Sequence, residues 1–187
     1  ENLEGLYYGL DFLSRVRMGQ KVPLSGKTVV IGGGNVAVDV ARTALRSGAH
    51  DVQIFCLEPR DEMPAWEKDV EEAIDEGIII NPEASPSNIT QKDGRVTGIE
   101  FTHCVCVFDD EGCFNPTCDL EDTRLVEADN ILISIGQAAD MSFLSADSQL
   151  ERELWGALVV DTNTLATNVP GVFAGGDFTT GPTFVIR

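Results

Sequence analysis

Thr28-Val29-Val30-Ile31-Gly32-Gly33-Gly34-Asn35-Val36-Ala37-Val38-Asp39-Val40-Ala41-Arg42-Thr43-Ala44 is the stretch whose reading decides the fold. Its first four residues are apolar or β-branched without alternation, as in a parallel strand buried on both faces. Three glycines follow. The Ala-rich run beyond them predicts a helix from about Asn35 to Ser47, with Gly48 placed to end it. Val52-Gln53-Ile54-Phe55-Cys56-Leu57 reads as the next strand, which completes a β-turn-α-β unit. In that context the G-x-G-x-x-A spacing has a physical meaning. Gly32 permits the tight turn, with Gly33 inside it, and Gly34 lets the backbone approach a pyrophosphate closely. Ala37 lets the helix pack near the sheet. The free N–H groups of Asn35 and Val36 would then hold phosphates at the helix N-terminus. The competing reading is an ordinary Gly-rich turn.

Glu58 lies about 20 residues beyond Ala37, where a carboxylate accepts hydrogen bonds from the ribose hydroxyls of a dinucleotide and repels a 2′-phosphate. Arg60 follows two positions later, and a guanidinium there could pair with that phosphate. The two residues point in opposite directions, and the balance tips slightly towards NAD over NADP.

Outward from this unit, Leu6, Leu10, Leu13 and Val16 recur at helical spacing, and Gly19 follows as a stop signal. Trp66, Val70, Ala73 and Ile74 share one face of a second helix whose acids read as a solvated face. Gly77 ends it and Ile78-Ile79-Ile80 reads as a strand. From Ser87 to Phe108 the texture becomes antiparallel, with Asp93-Gly94 as a hairpin signal and Asp109-Asp110-Glu111-Gly112 as a second turn. Ala128 to Gly136 reads as a further strand ending at a glycine. Gly156 to Asp161 looks like a strand or hairpin arm. Pro170 to Asp177 looks like a buried strand ending in two glycines and an acid, and Thr183 to Arg187 like the start of another helix.

Two segments, Val30 to Ala44 and Glu62-Met63-Pro64-Ala65, resemble the pyridine-nucleotide domain of the glutamate synthase small-subunit type of FAD-dependent oxidoreductase. Ile135-Gly136-Gln137 resembles the point where that domain returns to the flavin domain. Thr167 to Asp177 resembles the second flavin motif, in which Asp177 with Gly176 would hold the ribityl chain of FAD. The resemblance implies an α/β fold: a Rossmann-like dinucleotide-binding domain with an antiparallel β-ribbon insertion, plus a partial FAD-binding domain. The chain would divide into a connecting helix and linker (1–25), an NAD(P)H-binding domain (26–140) and the truncated second half of an FAD-binding domain (141–187).

It also implies hydride transfer from nicotinamide C4 to flavin N5. Electrons would then pass through iron–sulfur clusters elsewhere in a longer parent chain to a large-subunit partner. NADPH-using members of that family carry arginines where this chain has Leu57-Glu58. The family's first flavin fingerprint and its N-terminal cluster-ligating cysteines have no counterpart in these residues. The chain alone is therefore expected to bind one dinucleotide and to bind FAD poorly or not at all. It opens on Glu1 and stops at Arg187, and is read as a piece of a longer protein.

Composition sets outer bounds. With 31 Asp and Glu against 13 Lys and Arg the net charge is −18, which argues against nucleic acid and against an anionic membrane surface. No apolar run approaches the roughly 20 residues that a bilayer requires. Five cysteines, an odd number without a signal peptide, favour a reducing, cytoplasmic setting. Cys104 and Cys106 should share one strand face, as small apolar residues rather than a metal or cluster site.

No acid–base set stands out. The only tyrosines, Tyr7 and Tyr8, precede the turn, so the Tyr-x-x-x-Lys pair of short-chain dehydrogenases is excluded. His50 reads as an exposed helix-end residue and His103 as a strand residue. No catalytic residue and no metal ligand is assigned, which fits chemistry performed by bound cofactors. The alternative reading is a stand-alone nucleotide-binding or sensing module.

Overall fold

The structure is a computed structural model and describes residues 3–137, 139–145, 148–153 and 155–181. It divides into two compact units, Glu1–Gly136 and Gln137–Arg187.

The first unit has three layers. Five parallel strands form its central sheet: β1 (Leu6–Tyr8), β2 (Lys27–Ile31), β3 (Asp51–Phe55), β4 (Ile79–Asn81) and β8 (Asn130–Ile133). Their spatial order is β1-β8-β2-β3-β4. The chain moves outward in one direction through β2, β3 and β4, and β8 returns on the other side of β2. The strand order therefore reverses between β2 and β8, and a crevice at the carboxyl ends of those strands is where open α/β sheets bind ligands. Three helices cover one face: α1 (Gly9–Arg17), α2 (Asn35–Arg46) and α3 (Glu67–Asp75). An antiparallel sheet of β5 (Ala84–Lys92), β6 (Arg95–Phe108) and β7 (Phe114–Glu127) covers the other.

Alternation along β2 builds both cores at once. Val30 packs with Ala37, Ala41 and Ala44 of α2, while Val29 and Ile31 pack with Ile99 and Phe101 of β6. The alanines carry no side chain beyond Cβ, so α2 lies close on the sheet. On β3, Ile54 faces the helices and Phe55 the second sheet, where its ring stacks on Phe101 with centroids 4.2 Å apart. Arg124 of β7 sits over the Phe55 ring at 5.9 Å.

Several expectations need correction. Leu6 is not helical: Leu6–Tyr8 pairs with Ile131–Ile133, and the helix begins only at Gly9. Pairing against the open edge of β8 outweighs the helical spacing, and it draws part of the expected 1–25 connecting segment into the sheet. On α3 only Val70 and Ala73 are buried; Trp66, just outside it, is 58% exposed, and Ile74 is exposed. Cys104 and Cys106 do not share a face, because the register of β6 against β7 shifts between them. Cys104 is buried and Cys106 exposed. The long strand β7 lacks an apolar alternation, so nothing in its own residues marks it as a strand. It is an edge strand, exposed along nearly its whole length.

The second unit holds one short helix, α4 (Asp177–Thr180), among its described residues. Gly156–Asp161 forms no strand; Arg152 and Leu158 make an isolated bridge. Pro170–Asp177 is not a buried strand either. It turns back on Leu165–Thr167, with Thr167 N–H donating to Val172 O (2.9 Å) and Ala174 N–H to Leu165 O (3.0 Å), and Phe173 stays 65% exposed. No neighbouring strand among the described residues flanks it on both sides, so it has no sheet to enter. The helix expected at Thr183–Arg187 lies outside the described residues. No helix among the described residues is long and apolar enough to cross a membrane.

Candidate functional site

The carboxyl ends of β2, β3 and β8 meet at Gly32-Gly33-Gly34. Gly32 N–H donates to Phe55 O (2.8 Å) and Ser134 N–H to Ile31 O (2.8 Å), so the ladders run to the edge of the turn. Gly32 has φ +135°, and a Cβ there would collide with the Ser134 carbonyl oxygen. Only glycine meets both conditions. At Gly33 a Cβ would stand 2.6 Å from Glu58 Oε2 and 3.1 Å from Cys56 Cβ. The Glu58 carboxylate therefore leans on the turn.

Gly34 is different. Its φ of −90° suits any residue, and nothing lies within 4 Å of where its Cβ would be. It is the N-cap of α2 and gives no side-chain cap. Ala37 and Val38 N–H both donate to Gly34 O, and no intrahelical acceptor exists for the N–H groups of Asn35 and Val36. Open space, unpaired donors and a positive helix end coincide here, a combination that suits an anion. The fold needs no glycine at Gly34, whereas a closely bound phosphate would.

The Asn35 side chain has another task. Its Oδ1 accepts Trp66 N–H (3.1 Å) and its Nδ2 donates to Asp69 Oδ2 (3.0 Å), while Ala65 N–H donates to Gly33 O (3.0 Å). These three bonds dock the start of α3 on the turn, leaving the Asn35 backbone N–H for a ligand. Ala37 is fully buried against the sheet.

Beyond β3, the half-buried Arg60 opens a single 3-10 turn, Arg60–Glu62. Its guanidinium makes a bidentate pair with Glu67 in the first turn of α3, at 2.9 and 2.8 Å. Those hydrogen bonds hold the Arg60 pKa above and the Glu67 pKa below their ordinary values. Sequence reasoning missed Glu67 because an acid in a first helical turn looks like a solvated, dipole-favoured residue. Burial, and secondarily Glu58, pushes the Cys56 thiol up to about 12, so it stays protonated beside the turn.

Thus Gly32, Gly33, Gly34, Asn35, Val36, Ala37, Glu58 and Arg60 come together beyond the carboxyl ends of β2 and β3. Gly136, with φ +100°, closes the first unit. Gly176 and Asp177 lie in the second, where Gly176 caps α4 and Asp177 lines a cleft of about 550 Å³ with Gln137, Met141, Arg152 and Trp155. Among the described residues no three His, Cys, Asp or Glu side chains are grouped to hold a metal ion.

The family model described as pyridine nucleotide-disulphide oxidoreductase matches residues 2–187. The chain belongs to this family. It is 39% identical over 192 residues to the NADP(+)-dependent formate dehydrogenase subunit beta of Moorella thermoacetica, covering 100% of this chain and 26% of that protein. It is 34% identical over 160 residues to the glutamate synthase [NADPH] small chain of Azospirillum brasilense, covering 84% and 33%. The chain thus spans about a third or less of these two relatives. Among solved structures, thioredoxin reductase of T. acidophilum superposes with a TM-score of 0.70 at 25% identity, over 96% of this chain and 51% of that one. An α/β fold with a Rossmann-like parallel sheet is therefore common to the family and to this chain.

Proposed function

We propose that this chain is the NAD(P)H-binding part of a flavin-dependent oxidoreductase. Residues 26–140 would be the nucleotide domain, 141–187 half of an FAD-binding domain, and 1–25 the connection. One observation carries the reading: α2 begins at Gly34 with no side-chain cap and with unfilled space at the switch point of a parallel sheet. Gly32, Gly33 and Gly34 shape the phosphate turn, Asn35 and Val36 donate their backbone N–H groups, and Ala37 sets the helix close. Glu58 accepts from the adenosine ribose, and Gly136 leads out of the domain. Gly176 and Asp177 contribute to FAD in the longer protein.

The bound cofactors supply the redox chemistry, hydride leaving the nicotinamide for the flavin. The residues of this chain bind and orient. In this reading electrons go on through iron–sulfur clusters elsewhere in the parent to a large subunit like that of glutamate synthase, in the cytoplasm. NADH is the tighter ligand, because Glu58 faces the turn while Arg60 is engaged by Glu67. The NADP(H) in the relatives' names argues for the opposite order.

Titration of the chain with NADH and NADPH tests the site, with saturable binding expected. Absence of binding by either nucleotide removes the reading of the turn. A parent protein that purifies colourless and takes up no FAD leaves only a stand-alone nucleotide-binding or sensing module.

A further inference from the structure

Glu58, Arg60 and Glu67 stand at the rim of the turn, two carboxylates against one guanidinium. A 2′-phosphate arriving there needs a cation, and Arg60 is the nearest candidate in sequence to the end of β3. Yet both terminal nitrogens of Arg60 are already spent on the two oxygens of Glu67, at 2.9 and 2.8 Å. The end-on fork is thereby taken and its charge compensated, which leaves only the Nε side of the guanidinium for a further acceptor.

The carboxylate is held by a fixed helix. At its amino end α3 is docked on the turn through Asn35. Near its carboxyl end, Glu72 and Glu76 accept from Arg42 of α2 (3.0 and 2.7 Å). Glu67 is therefore presented at a constant place, while Arg60 stands on a short 3-10 turn. The pair is also partly open to water, with side chains 33% and 64% exposed. Such pairs are worth little to the fold. The ion pair is cheap to exchange, and its consequence falls on the ligand.

We propose that Glu67 is a positioning residue for coenzyme choice: by occupying the Arg60 guanidinium it withholds the cation that a 2′-phosphate requires, and so disfavours NADP(H) relative to NAD(H). The inference rests on the proposed nucleotide site and adds to it a residue outside the Gly-rich turn. It also states what would bring this chain towards the NADP(H) named in its relatives, namely release of Arg60 without any change at Glu58.

The test compares dissociation constants for NADH and NADPH, and for ADP and 2′,5′-ADP as probes of the adenosine end, in the wild-type chain and in Glu67→Gln. Glu67→Gln is expected to raise the ratio of NADPH to NADH affinity about tenfold, equal to ~1.4 kcal/mol. It should tighten 2′,5′-ADP while leaving ADP unchanged. Adding Arg60→Gln to Glu67→Gln should abolish that gain. Glu71→Gln removes a neighbouring charge that acts on Arg60 only through space, and should move the ratio less. An unchanged ratio in Glu67→Gln, or a gain that survives Arg60→Gln, overturns the inference while leaving the nucleotide site standing. If the wild-type chain binds none of the four ligands, the site itself falls and the inference with it.

Discussion

The two glycine motifs of this chain have similar sequences and opposite surroundings. Val29-Val30-Ile31-Gly32-Gly33-Gly34 enters a sheet with a strand on each side, so its apolar residues are buried and its first two glycines are enclosed. Val172-Phe173-Ala174-Gly175-Gly176-Asp177 has the same texture, but it meets only a short stretch at Leu165–Thr167, and Phe173 remains exposed. An apolar run ending in glycines is therefore a statement about what a segment can do. Neighbouring strands decide whether it becomes a buried strand, because only they satisfy its backbone groups away from water.

The largest test of that contrast is a pair of truncations. Phe55→Ala removes a ring that is 1% exposed, stacked on Phe101 and covered by Arg124, and should cost about 3–5 kcal/mol. Phe173→Ala should cost under about 0.5 kcal/mol, as surface substitutions do. Denaturant unfolding can be followed by single-tryptophan fluorescence, since Trp66 reports on the first unit and Trp155 on the second. A comparable loss for the two substitutions would erase the distinction.

A finer test divides the glycines of the first motif. Gly32→Ala drives a Cβ into the Ser134 carbonyl at a φ that L-residues avoid, and should destabilise by roughly 2–4 kcal/mol. Gly34→Ala meets nothing within 4 Å and should cost less than about 1 kcal/mol, mostly through the poorer N-cap. Its effect should appear in ligand binding, with NADH affinity falling about tenfold or more, because the added methyl occupies the phosphate approach. A Gly34→Ala chain that binds NADH normally would take the phosphate away from this turn.

How much of this was readable beforehand follows from where the information lies. The strand at Thr28–Ile31, the helix beyond Asn35 and the Asp93-Gly94 hairpin are dictated by residues within a few positions of each other, and all three form. β7 is mostly charged and polar, and its few apolar residues do not alternate. Its pairing with β6 makes it a strand, so no periodicity could announce it. The β-bulge that separates Cys104 from Cys106 is likewise a property of the pair of strands. At the candidate site, the turn residues and Glu58 were legible because one supersecondary unit carries them. The engagement of Arg60 by Glu67 was not, since it depends on the 3-10 turn bringing α3 back beside the guanidinium.

A pH-dependent effect, smaller than the losses at Phe55 and Gly32, uses a group found in only one of the two units. All five cysteines lie in the first, and Cys56 is buried with its thiol pushed up to about 12 from an ordinary 9.0. The folded chain keeps that proton while the unfolded chain loses it above pH 9. The contribution to stability is thus complete below pH 9 and declines as pH rises towards 12. At pH 10 the loss should be about 1 kcal/mol. Cys104, raised to about 11 by burial and then by Cys118, adds to the same slope. Stability read from unfolding at Trp66 should therefore fall steadily between pH 8 and 10.5, and Cys56→Ala should flatten that decline. Trp155 should show no cysteine-linked slope over the same range. If Cys56→Ala leaves the Trp66 slope intact, the thiol is not held away from water, and the enclosure of the first motif is looser than its glycines indicate.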